Sequence, residues 1–235
     1  MKGKATLFVG SLITAIALVA FLAYSIVIVV QARRATPGIL ADLKSDWPDW
    51  HTLEQFPSER VEGLLLVSDP GFYEHSGVDL LTRGAGITTI TQGLVKRLFF
   101  ESFQPGLAKY KQSLIAWSAL DRMVDKRTQL ELFLNTAYLG TSNGQPVYGF
   151  PRAAVMYLGR PVGELSRREF LSLVAMLIAP QTFHVHRRPE SNRRRVERIE
   201  RLLSGEYEPV GLMDVYYGSL EPEEQSTVPA FSYFP

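Results

Sequence analysis

The 26 residues from Ala5 to Val30 contain no charged side chain and are dominated by Leu, Ile, Val, Ala and Phe. As a helix rising 1.5 Å per residue, such a stretch measures roughly 39 Å, against a bilayer hydrocarbon core of about 30 Å. It reads as a single membrane-spanning helix. A cleaved signal sequence would carry a shorter apolar region, roughly 7 to 15 residues, ending in small residues, so residues 5–30 are read as an uncleaved anchor. Lys2 and Lys4 precede the span and Arg33 and Arg34 follow it. Counting the terminal amine, the balance leans towards an N-terminus inside and a following domain on the extracytoplasmic side.

The rest of the chain organises itself around turns and helical periods. Residues 35–60 hold Pro37, Gly38, Pro48 and Pro57 with three Asp and two Trp, a juxtamembrane connector broken by turns, with Trp47 and Trp50 suited to the headgroup level. Residues 61–203 form the main domain. Val61–Ser68 reads as a short buried helix ending at the turn Asp69-Pro70-Gly71. Apolar residues recur helically from Leu107 to Val124, from Leu130 to Leu134 and from Arg152 to Leu158. Ser166 and Glu169 form a capping box that opens a helix over Phe170 to Ala179, stopped by Pro180. No strong alternating pattern is present, so the fold class is mainly α. Residues 184–201 carry seven Arg against three Glu. The basic helix from Asn192 to Leu203 reads most simply as a solvated face, with anionic lipid or pyrophosphate contact as the sharper alternative. Residues 204–235 form a tail that is acidic, aromatic and free of Lys and Arg, expected to lie against the domain or a partner.

Composition narrows the function. Lys plus Arg is 25 and Asp plus Glu is 24, a net charge of +1, which argues against a nucleic-acid partner. The chain has no cysteine, so a disulfide scaffold, a thiolate metal site and a cysteine nucleophile are excluded. Polar groups that could carry chemistry cluster in four stretches: Ser68 to Gly77, Gly86 to Lys96, Lys109 to Ser113, and Glu131 to Asn135 followed by Tyr138 and Gly140. Arg152-Ala-Ala with Tyr157 makes a weaker fifth.

In order and spacing these stretches resemble the family 51 peptidoglycan glycosyltransferases, membrane-anchored transglycosylases that polymerise lipid II. Asp69, Phe72, His75 and Gly77 match that family's E-D-x-x-F-x-x-H-x-G. Gly86, Thr89, Ile90, Thr91, Gln92 and Lys96 match G-G-S-T-I-T-Q-Q-x-x-K. Glu131, Leu134 and Asn135 match E-x-Y-L-N, and Ala153, Ala154, Tyr157 and Gly159 match the last motif. The resemblance implies a lysozyme-like, mainly α domain in the cell membrane. It also implies a lipid-linked sugar substrate and contacts with membrane lipid and other cell-wall synthesis proteins.

The departures fall on the chemistry. The family's two glutamates, one the general base and one supporting the departing pyrophosphate, stand here as Ser68 and Ser113. A serine hydroxyl cannot take a proton near neutral pH without a base of its own, and loss of a general base costs about 10² to 10⁴ in rate. Ile87, Gly93 and the pair Lys109-Tyr110 depart as well. The resemblance therefore implies a degenerate member that binds lipid II or a similar polyprenyl-pyrophosphate sugar. The alternative is an active enzyme whose base is supplied by Asp69, Glu74 or the substrate phosphate.

Binding would fall to Lys96 and Lys109 as point charges for pyrophosphate, to Thr88, Thr89, Thr91 and Gln92 as hydrogen-bonding groups, and to Phe72, His75, Glu131 and Asn135 by position in the motifs. For Glu131 and Asn135, four apart on one helix face, holding neighbouring helices is the plainer role. Phe99, Phe100 and Phe103 are either ordinary core or a rest for the lipid tail. His184 and His186 lack a third ligand at helical spacing, so no protein metal site is expected. The cofactor is undetermined by sequence, a divalent cation accompanying the pyrophosphate being the one candidate. Ser68, Asp69 and His75 have the residue types of a hydrolase triad but not its G-x-S-x-G setting.

Overall fold

The computed structural model describes residues 2–47, 49–104 and 106–228, the side chains of residues 2–8 and Asp46 excepted. The Lys2 and Lys4 side chains and the tail aromatics Phe231, Tyr233 and Phe234 lie outside the described residues. Helix α1, Lys2–Asp46, is long and apolar enough to cross a membrane. Ile28, Ala32 and Thr36 are its buried positions, and their spacing of four makes one narrow stripe along the helix. That stripe faces the domain. The Ser25 and Tyr110 hydroxyls share a hydrogen bond of 2.7 Å, and Phe21 meets the Tyr110 ring at 5.1 Å. Arg33 donates twice to the Ser118 carbonyl, at 2.9 and 2.7 Å.

The connector expected over residues 35–60 is helical in its first part. Pro37 sits inside α1 without ending it, and Leu40 and Leu43 beyond it pack against the core. Proline costs a helix one hydrogen bond and a steric contact, about 3 kcal/mol, which tertiary packing overrides here.

Helix α2, Ser58–Ser68, buries Val61, Leu64, Leu65 and Val67, and it packs against α8, Arg167–Val174, and α9, Pro189–Leu203. Helix α3, Ile90–Phe99, lies on α6, Lys126–Thr136, which is central enough to bury Leu130, Leu132 and Leu134 completely. Between them α4, Leu107–Ile115, runs into a π-helical turn over Ala116–Leu120 and the short α5, Asp121–Met123. Helix α7, Phe150–Ala153, continues as a second π turn to Leu158.

Further expectations are corrected. Strands β1, Tyr138–Ser142, and β2, Gln145–Tyr148, pair antiparallel. Their turn holds Asn143 at φ 50° and Gly144 at φ 78°, the Asn-Gly pair of a type I′ hairpin. That dipeptide was the signal the alternation pattern lacked. Helix α8 keeps its Ser166–Glu169 capping box but stops at Val174, not Ala179. Met176 and Leu177 donate three residues back, to Leu173 and Val174, so the chain tightens before Pro180 is reached.

The basic helix is not a uniformly solvated face. Arg195 and Arg198 are buried, and the tail segment lies on them. Glu224, in α10, Pro222–Gln225, is fully buried between Arg194 at 3.3 Å and Arg198 at 3.0 Å.

Candidate functional site

A cavity of about 640 Å³ opens between the Gly84–Thr88 loop, the start of α3, the end of α6 and the 177–181 segment. Ser68 stands in its wall at the end of α2, half-buried. Lys96, Arg97 and Arg195 line it, and Glu101 is the one carboxylate among the described lining residues. The cavity is therefore cationic.

The loop over the cavity is anchored by residues that sequence reasoning had assigned to chemistry or binding. Asp69 is 1% exposed. One of its oxygens accepts from the Ile90 amide at 2.8 Å, at the positive end of α3, and the carboxylate also meets His75 Nε2 at 2.9 Å. His75 Nδ1 accepts from the Gly77 amide at 3.0 Å, which puts the ring proton on Nε2 facing Asp69. Asp69 is thus committed to a helix start and a histidine, and it does not line the cavity. Phe72 is buried in the same knot, with the Lys126 ammonium 4.7 Å from its ring centre. Glu74 is exposed and also away from the cavity.

Thr89 caps α3. Its hydroxyl accepts from the Gln92 amide at 3.1 Å and donates to the Gly77 carbonyl at 2.8 Å, while Gln92 Oε1 accepts from the Thr89 amide at 3.0 Å. Gln92 Nε2 donates to Ser113 Oγ at 2.8 Å. Ser113 is joined to α3 through that amide, and the Thr89 and Gln92 groups are largely used in holding the loop.

The lysines are placed differently. Lys109 Nζ donates to the Ile87 carbonyl at 3.0 Å and to Thr88 Oγ1 at 2.9 Å, both cavity-lining residues. Burial, followed by repulsion from Lys96, pulls its pKa down to about 8. Burial lowers Lys96 as well, and its ammonium sits 5.0 Å from the Phe103 ring centre. Two lysines that feel each other across a partly desolvated space favour a shared anion. Phe100 and Phe103 line the same cavity, and Phe99 packs against the core.

Glu131 and Asn135 are drawn elsewhere. Glu131 accepts from the Trp50 indole at 2.8 Å and the Leu53 amide at 3.2 Å. Asn135 exchanges two hydrogen bonds with the backbone of His51, at 2.9 and 2.8 Å. Both clasp the segment after α1, and Trp50 is engaged by protein instead of standing free for a headgroup. His184 is buried with Nε2 on the Thr141 carbonyl at 3.2 Å and Nδ1 accepting from the His186 amide at 3.2 Å, and burial lowers its pKa. Both ring nitrogens are used.

Sequence reasoning missed two parts of the wall, the 177–181 segment and Met213 with Val215 of the tail, and it placed Arg195 on a helix read first as a solvated face, with pyrophosphate contact only as the alternative. Arg195 was legible in principle. Asn192, Val196 and Ile199 mark the buried face of α9, and Arg195 falls on it by helical spacing.

The sequence model of the family described as Transglycosylase matches residues 37–203. The chain belongs to the transglycosylase family, the family 51 peptidoglycan glycosyltransferases. Penicillin-binding protein 1B of Escherichia coli (strain K12) is 36% identical over 161 residues, 63% of this chain and 19% of that protein. Penicillin-binding protein 1B of Vibrio cholerae is 30% identical over 186 residues, 72% of this chain and 24% of that protein. That of Buchnera aphidicola from Acyrthosiphon pisum is 34% identical over 160 residues, 61% of this chain and 21% of that protein. The chain spans about a fifth to a quarter of the length of these relatives. Its transglycosylase match ends at Leu203, whereas the cavity wall continues into Met213 and Val215.

Proposed function

We propose that this transglycosylase-family protein binds a polyprenyl-pyrophosphate-linked sugar of the lipid II type and does not polymerise it. The observation that carries the reading is the composition of the cavity, with Lys96, Arg97 and Arg195 in its wall, Lys109 at its edge, and serine at position 68. Cations suit the pyrophosphate. A general base must lie within hydrogen-bond reach of the proton it takes. Asp69 and Glu74 lie outside the cavity, and Glu101 is exposed. The apolar helix α1 and the contacts of α4 with it suit a membrane-held substrate whose lipid tail passes Phe100 and Phe103. In this reading the domain stands on the extracytoplasmic face, contacts membrane lipid, and regulates or scaffolds other cell-wall synthesis proteins.

The test is incubation of the full-length protein in detergent with labelled lipid II, with and without magnesium, reading both glycan polymer and thermal protection. Protection without polymer is expected, since a ligand of the native state raises its stability. Absence of protection at saturating lipid would remove the binding reading. Polymer would show an active enzyme and direct attention to Glu101.

A further inference from the structure

Arg195 is one of the cations of the cavity wall, and its surroundings set it apart from the others. It is 2% exposed and lines the cavity. Nη2 donates to the Val215 carbonyl at 2.8 Å, and among the described residues Nε and Nη1 have no well-directed hydrogen-bond partner. Its neighbours on α9 take the acids of the tail, Arg194 pairing with Glu223 and Glu224 and Arg198 with Glu224. Among the described residues, no carboxylate pairs with Arg195.

What surrounds it is aromatic. The guanidinium carbon lies 4.7 Å from the Tyr217 ring centre, 5.8 Å from Tyr216 and 6.0 Å from Phe183. Rings soften the loss of water around a cation, and the Tyr217 hydroxyl adds a favourable contact, but neither supplies a counter-charge. A buried charge without a counter-charge is costly, and a packed apolar residue of similar volume is often as stable or more so. Burial pulls the Arg195 pKa down to about 10, which agrees with a cation short of compensation.

We propose that Arg195 is an anion-recognition residue, a second charged point in the cavity that takes a carboxylate or phosphate oxygen of the ligand. Only the placing of a pyrophosphate at Lys96 and Lys109 rests on the function proposed above. Entry is through the tail. The segment over Arg195 is pinned by the amides of Gly84 and Gly86, which donate to Gly211 and Leu212 at 2.9 Å each, and by the Tyr217 hydroxyl, which donates to the Val67 carbonyl at 2.5 Å. An anionic oxygen makes a hydrogen bond roughly twice as strong as a neutral carbonyl does. Taken up at Nε and Nη1, it competes with the Val215 carbonyl for the guanidinium and loosens the 211–215 segment.

The probes are inorganic phosphate and acetate, each titrated against chloride at constant ionic strength. The double variant Lys96→Met/Lys109→Met removes the lysine end. It is expected to keep a saturable rise of about 3 °C in melting temperature with at least one of the two anions. Whichever anion acts identifies the ligand group as phosphate or carboxylate. Adding Arg195→Met should abolish the rise, and Arg195→Lys should weaken it, because an ammonium lacks the planar fork. A rise that persists without Arg195, or is absent from the double variant with both anions, overturns the proposal.

Should Arg195→Met fail to fold, Met213→Cys introduces a single thiol into a cysteine-free chain. Its maleimide labelling in the double-lysine background should quicken several-fold with the active anion. An unchanged rate would overturn the proposal. Failure of lipid II to bind, with the anion effect intact, would remove the proposed function and leave this site standing.

Discussion

At the residue scale, Lys109 decides how the cavity responds to pH. Its pKa of about 8 lies below the free value of 10.5, so between those limits the unfolded chain holds a proton that the folded chain has released. Stability therefore rises with pH across that window. Chemical denaturation of wild type and Lys109→Met from pH 7 to 10.5 should show a steeper rise in wild type, the variant keeping only the smaller contribution of Lys96. Anion binding draws on the charged form, so pyrophosphate affinity should fall as pH rises through about 8, and Lys109→Met should flatten that dependence. Lys96→Ala should weaken pyrophosphate binding about tenfold or more at pH 7, measured by calorimetry, because a charge-assisted hydrogen bond is worth roughly 1.5 to 3 kcal/mol. These two lysines were readable from their motif positions. Asp69 was readable as important but not as structural, because the Ile90 amide that it holds lies 21 residues away.

At the element scale, the starts and ends of helices carry most of the local information. Thr89 and Ser166 each head a capping box, and substitution of such a cap costs about 0.5 to 2 kcal/mol. Thr89→Ala should reach the upper part of that range, because the hydroxyl also holds the Gly77 carbonyl. Thr89→Ser should restore most of the loss in a urea melt. The turn from β2 into α7 is less forgiving. Gly149 has φ 82°, and a Cβ there would stand 2.3 Å from the Asn135 carbonyl oxygen. The backbone strain alone is on the order of 1 to 3 kcal/mol. Gly149→Ala should therefore lower the melting temperature sharply or prevent soluble expression, unlike substitution of Gly144 to Asn, where nothing lies within 4 Å.

At the scale of the whole molecule, the cavity is a joint product of the transglycosylase domain and the tail behind it. Glu224 locks the two together from a fully buried position. Removing one partner of a buried ion pair strands the other, at roughly 3 to 5 kcal/mol. Glu224→Gln should cost about that much in equilibrium denaturation and make the tail an early site of limited proteolysis. The catalytic question belongs to this scale too. Ser68→Glu with Ser113→Glu would reintroduce both carboxylates. If the remaining scaffold is competent, the double variant should form glycan polymer from labelled lipid II; silence despite binding would mean that the loop held by Asp69 and Thr89 has moved beyond use.

The apolar helix, the capped helices, the order of the transglycosylase motifs and the serines at 68 and 113 are legible in the chain alone. Each is written within a few residues, through helical period, a cap three positions away, or the identity of one side chain. The tertiary structure decided what the polar residues do. Asn135 holds His51 across 84 residues and Tyr217 holds Val67 across 150, pairings that no local pattern records. Burial then separates residues of one type: Arg194 finds two acids, whereas Arg195, one position on, turns into the cavity wall and finds none among the described residues. A helix places successive side chains about 100° apart, and only the packing around it determines which of those directions meets an acid and which meets a cavity.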